Sequence, residues 1–173
     1  MSKIEKRENF IHLPNKGNHN CFGCSPKNPS GMFMEFYTNE KRDSVLSWYS
    51  VPDHLCGWGN MVHGGIVSTL LDEAMGWACI TILQKFFLSK SIAVDFFKPV
   101  LIGKEIRVEG NVLKMKNERE GVLQGFIYNE NNDLCAKSSS VVSLFTLEFV
   151  REMGVLDEGM LNYFEQSWNR IND

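Results

Sequence analysis

A chain of 173 residues with 43% hydrophobic and 23% charged residues has the make-up of an ordinary soluble protein and the length for one domain with a real core. Its formal net charge of −3 and estimated pI of about 5.8 exclude a nucleic-acid or anionic-membrane partner held by a general basic surface, while leaving room for a local basic patch on an anionic small molecule.

The N-terminal run MSKIEKRENFIHL holds no apolar core of signal-peptide length, and no apolar run along the chain approaches the ~18 residues of a membrane span. The five cysteines, Cys21, Cys24, Cys56, Cys79 and Cys135, are odd in number and scattered, which reads as free thiols in a reducing cytoplasm. Residues 1–31 are polar and turn-rich. Within them NCFGCSPKNPSG packs two Gly, two Pro and two Asn into twelve residues, the composition of a structured loop.

From Phe33 the pattern changes to strands, Phe33–Thr38 and Ser44–Val51, joined by the polar turn NEKRD. A Gly- and Trp-rich loop, 52–62, follows. A helix is then expected from about Gly65 to Lys85, apolar nearly all round and so buried. Four more strands are expected at Ser91–Phe97, Lys104–Lys116, Glu120–Asn129 and Leu134–Thr146, with short separators that dictate antiparallel pairing. Gly110-Asn111 interrupts the alternation of the second of these and suggests a bulge or bend. An amphipathic helix over Gly159–Ile171 closes the chain. The organisation is therefore an N-terminal loop segment (1–31), a central domain (32–150) and a helical tail (151–173). The fold class is α+β, an antiparallel sheet covering one long helix. One sheet covers one side of that helix, and a second copy of the chain could cover the other.

The chemistry concentrates in VHGGIVSTLLDEAMGW, residues 62–77. Gly65, Ser68, Thr69, Asp72 and Gly76 are spaced by three or four and share one small, polar helix face. Glu73 is rotated from Asp72 by about 100°. Ionised carboxylates between apolar flanks are costly unless partnered. Either they reach the surface or a basic partner, or one has the adjusted pKa of a general base or nucleophile. His63-Gly64-Gly65 opens the helix, where free N–H groups and the helix dipole favour a developing oxyanion. The plain alternative is a loop-to-helix turn with His63 satisfying backbone groups. Cys21-Phe22-Gly23-Cys24, with His19 two residues before, lacks the second ligand pair of a tetrahedral site, so it is expected to pack as a loop of apolar thiols without structural metal. Among the Met and Trp residues that could line an acyl or aromatic pocket, Trp58, in the loop before the helix, stands out.

These residues carry a family resemblance. VHGGIVSTLLDEAMG resembles the helix motif of the hotdog-fold acyl-CoA thioesterases, in particular the phenylacetate-pathway type and the 4-hydroxybenzoyl-CoA thioesterases, in which His-Gly-Gly is followed, nine residues after the His, by an acid, here Asp72. SIAVDFFKPVLIGKEI resembles the next strand of that family, with Phe97, Pro99 and Gly103 at the matching positions, and CFGCSPKNPSGMFMEF resembles the loop found before the first strand in many members. The resemblance implies a hotdog fold of five or six strands wrapped around one helix. It also implies a homodimer or homotetramer with sites at the dimer interface, and hydrolysis of an acyl-CoA or other acyl thioester to acid and thiol. It assigns Asp72 as general base or nucleophile and the Gly65 N–H as the donor that polarises the thioester carbonyl. Glu73 is a fallback acid, because some relatives use Glu in this helix. His63 completes the turn, and Gly64, Ser68 and Trp58 are expected to face substrate. The pattern departs at Gly57, where many members carry Asn. Asn60 is the candidate to replace it in orienting water. It departs again at Ala93, where some members place a hydroxyl from the partner chain; Ser91, two residues earlier on the same face, is the nearest candidate. A base, an oxyanion donor and a shaped pocket suffice for this reaction, so no cofactor or metal is expected.

Two other activities fit the same residues. An acyl-thioester hydratase or dehydratase would use His63 with an acid on the reacting carbon. A non-catalytic hotdog module that binds acyl-CoA is favoured by the missing Asn at position 57.

Overall fold

The computed structural model describes residues 7–15 and 19–172; the remainder of the expected N-terminal segment and the last residue of the tail lie outside the described residues. The strands are β1 (Ile11–Leu13), β2 (Phe36–Thr38), β3 (Val45–Ser50), β4 (Phe86–Phe96), β5 (Glu105–Asn117), β6 (Glu120–Tyr128) and β7 (Leu134–Phe145), and the helices are α1 (Gly64–Ala78), α2 (Leu147–Met153) and α3 (Glu158–Asn172). The strands form one antiparallel sheet in the order β1-β2-β3-β5-β6-β7-β4. This is the hotdog fold: a curved sheet around a single central helix. It has seven strands rather than five or six, because Ile11–Leu13, read from sequence as loop, pairs with β2.

The sheet grips α1 through Val67, Leu70, Leu71, Ala74, Met75 and Ala78, which pack on Val45, Ile106, Val108, Leu123 and Ile127. The approach is close enough that a Cβ on Gly110 would lie 2.2 Å from the Ala74 carbonyl oxygen. Gly110 sits in regular register opposite Val45 and Gly125, and the shifts in β5 fall later, between Val112 and Lys114 and between Met115 and Asn117. The glycine expected to mark a bulge instead makes room for the helix backbone.

Past Ala78 the helix widens into a π-helical turn, Cys79–Leu83, and stops at Gln84, whose φ of 52° is left-handed. The run Gly64–Leu83 is, by length and composition alone, apolar enough to cross a membrane, contrary to the reading of the sequence. Here it is the core helix. β4 begins at Phe86, five residues before its expected start, and forms an edge of the sheet. α2 was not expected; Thr146 caps it by accepting from the Phe149 N–H, and Gly154 in the left-handed region ends it. α2 and α3 bring Leu147, Val150, Leu161, Phe164 and Trp168 together with Phe86 beside the end of α1, where the Trp168 indole N–H donates to the Ile80 carbonyl at 3.1 Å.

Candidate active site

The first turn of α1 is capped by its own histidine. His63 is extended, and its Nδ1 accepts from the Gly65 N–H at 3.0 Å. The Gly65 N–H, expected to face a thioester carbonyl, is therefore engaged by the His63 ring in this structure. Ser68 and Thr69 donate their hydroxyls back to the Gly64 and Gly65 carbonyls, each at 3.0 Å. Gly64, His63, Trp58, Phe96, Phe97 and Lys98 line an open groove of about 480 Å³. Trp58 is 85% exposed at its rim. Asn60 is exposed, and its carbonyl accepts from the Ile102 N–H at 2.9 Å. A side chain at Gly57 would press on the His63 backbone, with Cα at 3.1 Å.

Two turns on, the adjacent acids diverge. Asp72 is half-buried and accepts from Ser89 Oγ at 3.1 Å. Burial raises its pKa above the usual Asp value, against the lowering effect of the Ser89 hydroxyl. Ser89 was missed from sequence because the strand was expected to begin at Ser91. Ser91 lies exposed beyond a bulge, its carbonyl accepting from Ser140 Oγ at 3.0 Å. Glu73 turns to the N-terminal loop, where Cys21 Sγ lies 3.1 Å from Glu73 Oε1. Burial first, then the charge of Cys21, pushes the Glu73 carboxyl up to about 8. Cys21 moves the other way: the Cys24 thiol beside it draws it well below the usual thiol range, helped by the Cys24 and Gly23 N–H groups. Asp72, Glu73, Cys21, Cys24 and His19 share a cavity of about 180 Å³ with Trp77, Phe87 and the α3 residues Tyr163 and Phe164.

Asp72 and Gly65 are seven residues apart, about 10 Å along the helix axis; Asp72 lines the smaller cavity, whereas Gly64, next to Gly65, lines the groove. One carbonyl cannot touch both within a single chain. Gly64 and Gly65 are the exposed residues of α1, and Ser68, Thr69 and Asp72 are partly exposed.

Residues 59–136 match the family described as Thioesterase superfamily. That stretch, less than half of the chain, holds the His63-Gly64-Gly65 turn, α1 and the strands β4 to β6. An uncharacterised protein of Schizosaccharomyces pombe is 26% identical over 145 residues, 80% of this chain and 77% of that one. Among solved structures, the Escherichia coli PaaI protein from the phenylacetic acid degradation operon superposes with a TM-score of 0.59 at 18% identity, covering 66% of this chain and 80% of that one. A hypothetical thioesterase protein from Streptococcus pneumoniae, solved with coenzyme A, superposes with a TM-score of 0.56 at 17% identity over 59% of this chain and 81% of that one. These likenesses support the hotdog fold and leave the substrate to the chain's own residues.

Proposed function

We propose that the protein hydrolyses acyl-CoA thioesters as a dimer, each site pairing Asp72 of one chain with the His63-Gly64-Gly65 turn of the other. The observation that carries this reading is Asp72 itself. It is a half-buried carboxylate with raised pKa and one hydroxyl partner, on the edge strand β4. Burial keeps the carboxylate basic enough to take a proton from water, or to attack the thioester carbon directly. The leaving thiol has a pKa near 8.5 and departs without a strong general acid. The 10 Å offset between Asp72 and Gly65 requires the two groups to come from different chains, as two antiparallel copies of α1 would bring them.

The edge strand supports such pairing. Leu88 is 63% exposed and Ile92 40% exposed on β4, with Phe96 and Phe97 beyond them. An exposed, apolar edge strand is a pairing surface unless something covers it. The groove at the helix start, with an aromatic wall and Lys98 at its margin, suits a CoA thioester. The CoA-bound Streptococcus pneumoniae protein of the same fold supports that ligand class.

A second reading, an acyl-CoA-binding module without turnover, is favoured by the capped Gly65 N–H and by Gly57 in place of Asn. A thiol-release screen over short, medium, long and aromatic acyl-CoAs separates the two. Turnover that disappears in Asp72→Asn supports hydrolysis; tight binding without thiol release supports the module. Hydration of an enoyl-CoA with CoA retained would point to the hydratase chemistry instead.

A further inference from the structure

We propose that Cys21, Cys24 and Glu73 form a binding site for a thiophilic divalent cation of the zinc type, with its fourth coordination position open to the cavity beside Asp72. This site does not depend on the thioesterase reading. From sequence the two sulfurs lack a second ligand pair; the fold supplies a third ligand from 49 residues beyond Cys24.

Geometry is the first support. Cys21 Sγ, Cys24 Sγ and a Glu73 oxygen lie within 4.8 Å of one another, and the Cys21–Glu73 pair is at 3.1 Å. Zinc–sulfur and zinc–oxygen bonds of ordinary length, about 2.3 and 2.0–2.2 Å, place tetrahedral ligand atoms roughly 3.5–3.8 Å apart. Small side-chain adjustments reach that spacing without moving the backbone. Two thiolates and a carboxylate are a donor set suited to a borderline-soft cation rather than to magnesium or calcium.

The loop is also built to hold its sulfurs in place. The Ser25 N–H donates to the Cys21 carbonyl at 3.0 Å, the Met32 N–H to that of Phe22 at 2.7 Å and the Met34 N–H to that of Gly23 at 3.0 Å. Outside the turn, the Asn15 amide donates to the Cys24 carbonyl at 2.6 Å, and His19 Nδ1 accepts from the Cys21 N–H at 3.3 Å. Gly23 is the cradle: a Cβ there would lie 2.4 Å from Glu73 Cδ. Only glycine lets the carboxylate come between the two cysteines.

Charge is the third support. Glu73 and Asp72 line the same apolar cavity, and among the described residues no lysine or arginine lines it with them. Buried carboxylates without a cation are costly, and a divalent ion supplies the missing charge to all three ligands at once. On binding, each thiol still protonated releases its proton to solvent, and no electron changes hands.

The test uses the full chain, purified without an affinity tag or added metal. Zinc is measured by elemental analysis, and after chelation the reduced protein is titrated with cobalt(II). The expected result is one equivalent of metal and a near-ultraviolet sulfur-to-cobalt band with the intensity of two thiolates. Cys21→Ser and Cys24→Ser should each halve that band and weaken binding at least ~10²-fold, beyond the usual effect of losing an outer-shell contact. Glu73→Gln should keep the two-thiolate band and weaken binding. Gly23→Ala retains all three ligands but displaces the carboxylate, so it should weaken binding as well. If a cysteine variant does not fold, by circular dichroism, the Glu73 and Gly23 variants decide. No saturable sulfur-to-cobalt band in the reduced wild type, or affinity unchanged in both Glu73→Gln and Gly23→Ala, overturns the site.

Discussion

The two sides of α1 meet different surroundings. Around Glu73 and the end of the helix, the chain covers itself: the Cys21–Cys24 turn, Trp77 and α3 enclose the carboxylate and drive its pKa to about 8. Around Gly65 and Ser68 the helix has no such cover, and the neighbouring edge strand presents Leu88 and Ile92 to solvent; Asp72 lies between the two regions, lining the cavity of Glu73 but bonded to Ser89 on that edge strand. Neighbouring acids on one helix therefore have different tasks open to them. Glu73 is committed to the loop through Cys21, and Asp72, bonded to the edge strand instead, is left to meet a substrate and a second chain. A carboxylate's role follows from what covers it rather than from its place in a motif.

The sharpest break of this contrast is Asp72→Asn. It keeps size and hydrogen bonding and removes the basic oxygen. Thiol release should fall at least ~10²-fold, the scale of general-base loss, while melting temperature stays level or rises. Glu73→Gln should cost activity less. The reverse order of losses would move the reaction to the enclosed side.

Next comes the open edge. Leu88→Asp with Ile92→Asp places charge on the proposed pairing surface and should cost at least ~2 kcal/mol of association, the scale of interface hot spots. Light scattering should show monomer at micromolar protein, and thiol release should fall with the dimer fraction. A fully active monomer would show that Asp72 does not need the partner's helix start.

The closed side makes a prediction in pH. Glu73 titrates near 8 in the folded chain and near 4.3 when unfolded. Between those values the folded state holds more protons than the unfolded state, so stability falls as pH rises. Below the unfolded value both states are protonated and the carboxyl contributes no slope. Cys21, held low, pulls the other way over the same range, so the difference between proteins is the readout: from pH 5 to pH 8, Glu73→Gln should lose less melting temperature, or gain more, than metal-free wild type. A slope unchanged in the variant would show that another group carries it.

These contrasts were unevenly legible in the sequence. The helix, its glycine start and the acid at position 72 follow from local spacing, and so do β5 to β7, whose short turns fix antiparallel neighbours. Ser89 was out of reach because FFLSK, residues 86–90, has no alternation to mark a strand. The Cys21–Glu73 contact spans 52 residues and no local pattern encodes it. Gly110 was misread because a glycine in a strand permits either a bulge or a close approach, and only the packed helix distinguishes them. α2, in contrast, carried an ordinary cap and stop, Thr146 and Gly154, that the strand pattern before it obscured.

The smallest effect belongs to His63. Its ring satisfies the Gly65 N–H, so His63→Ala removes a helix cap and should cost about 1 kcal/mol of stability. The same substitution frees the donor that the proposed reaction needs. If the ring only occupies that N–H until a thioester carbonyl replaces it, thiol release measured below the lowered melting point should hold or rise. If His63 itself moves protons in the reaction, release should fall ~10²-fold or more. Steady-state rates beside a thermal melt of the same preparation distinguish a histidine that caps the open end of α1 from one that works there.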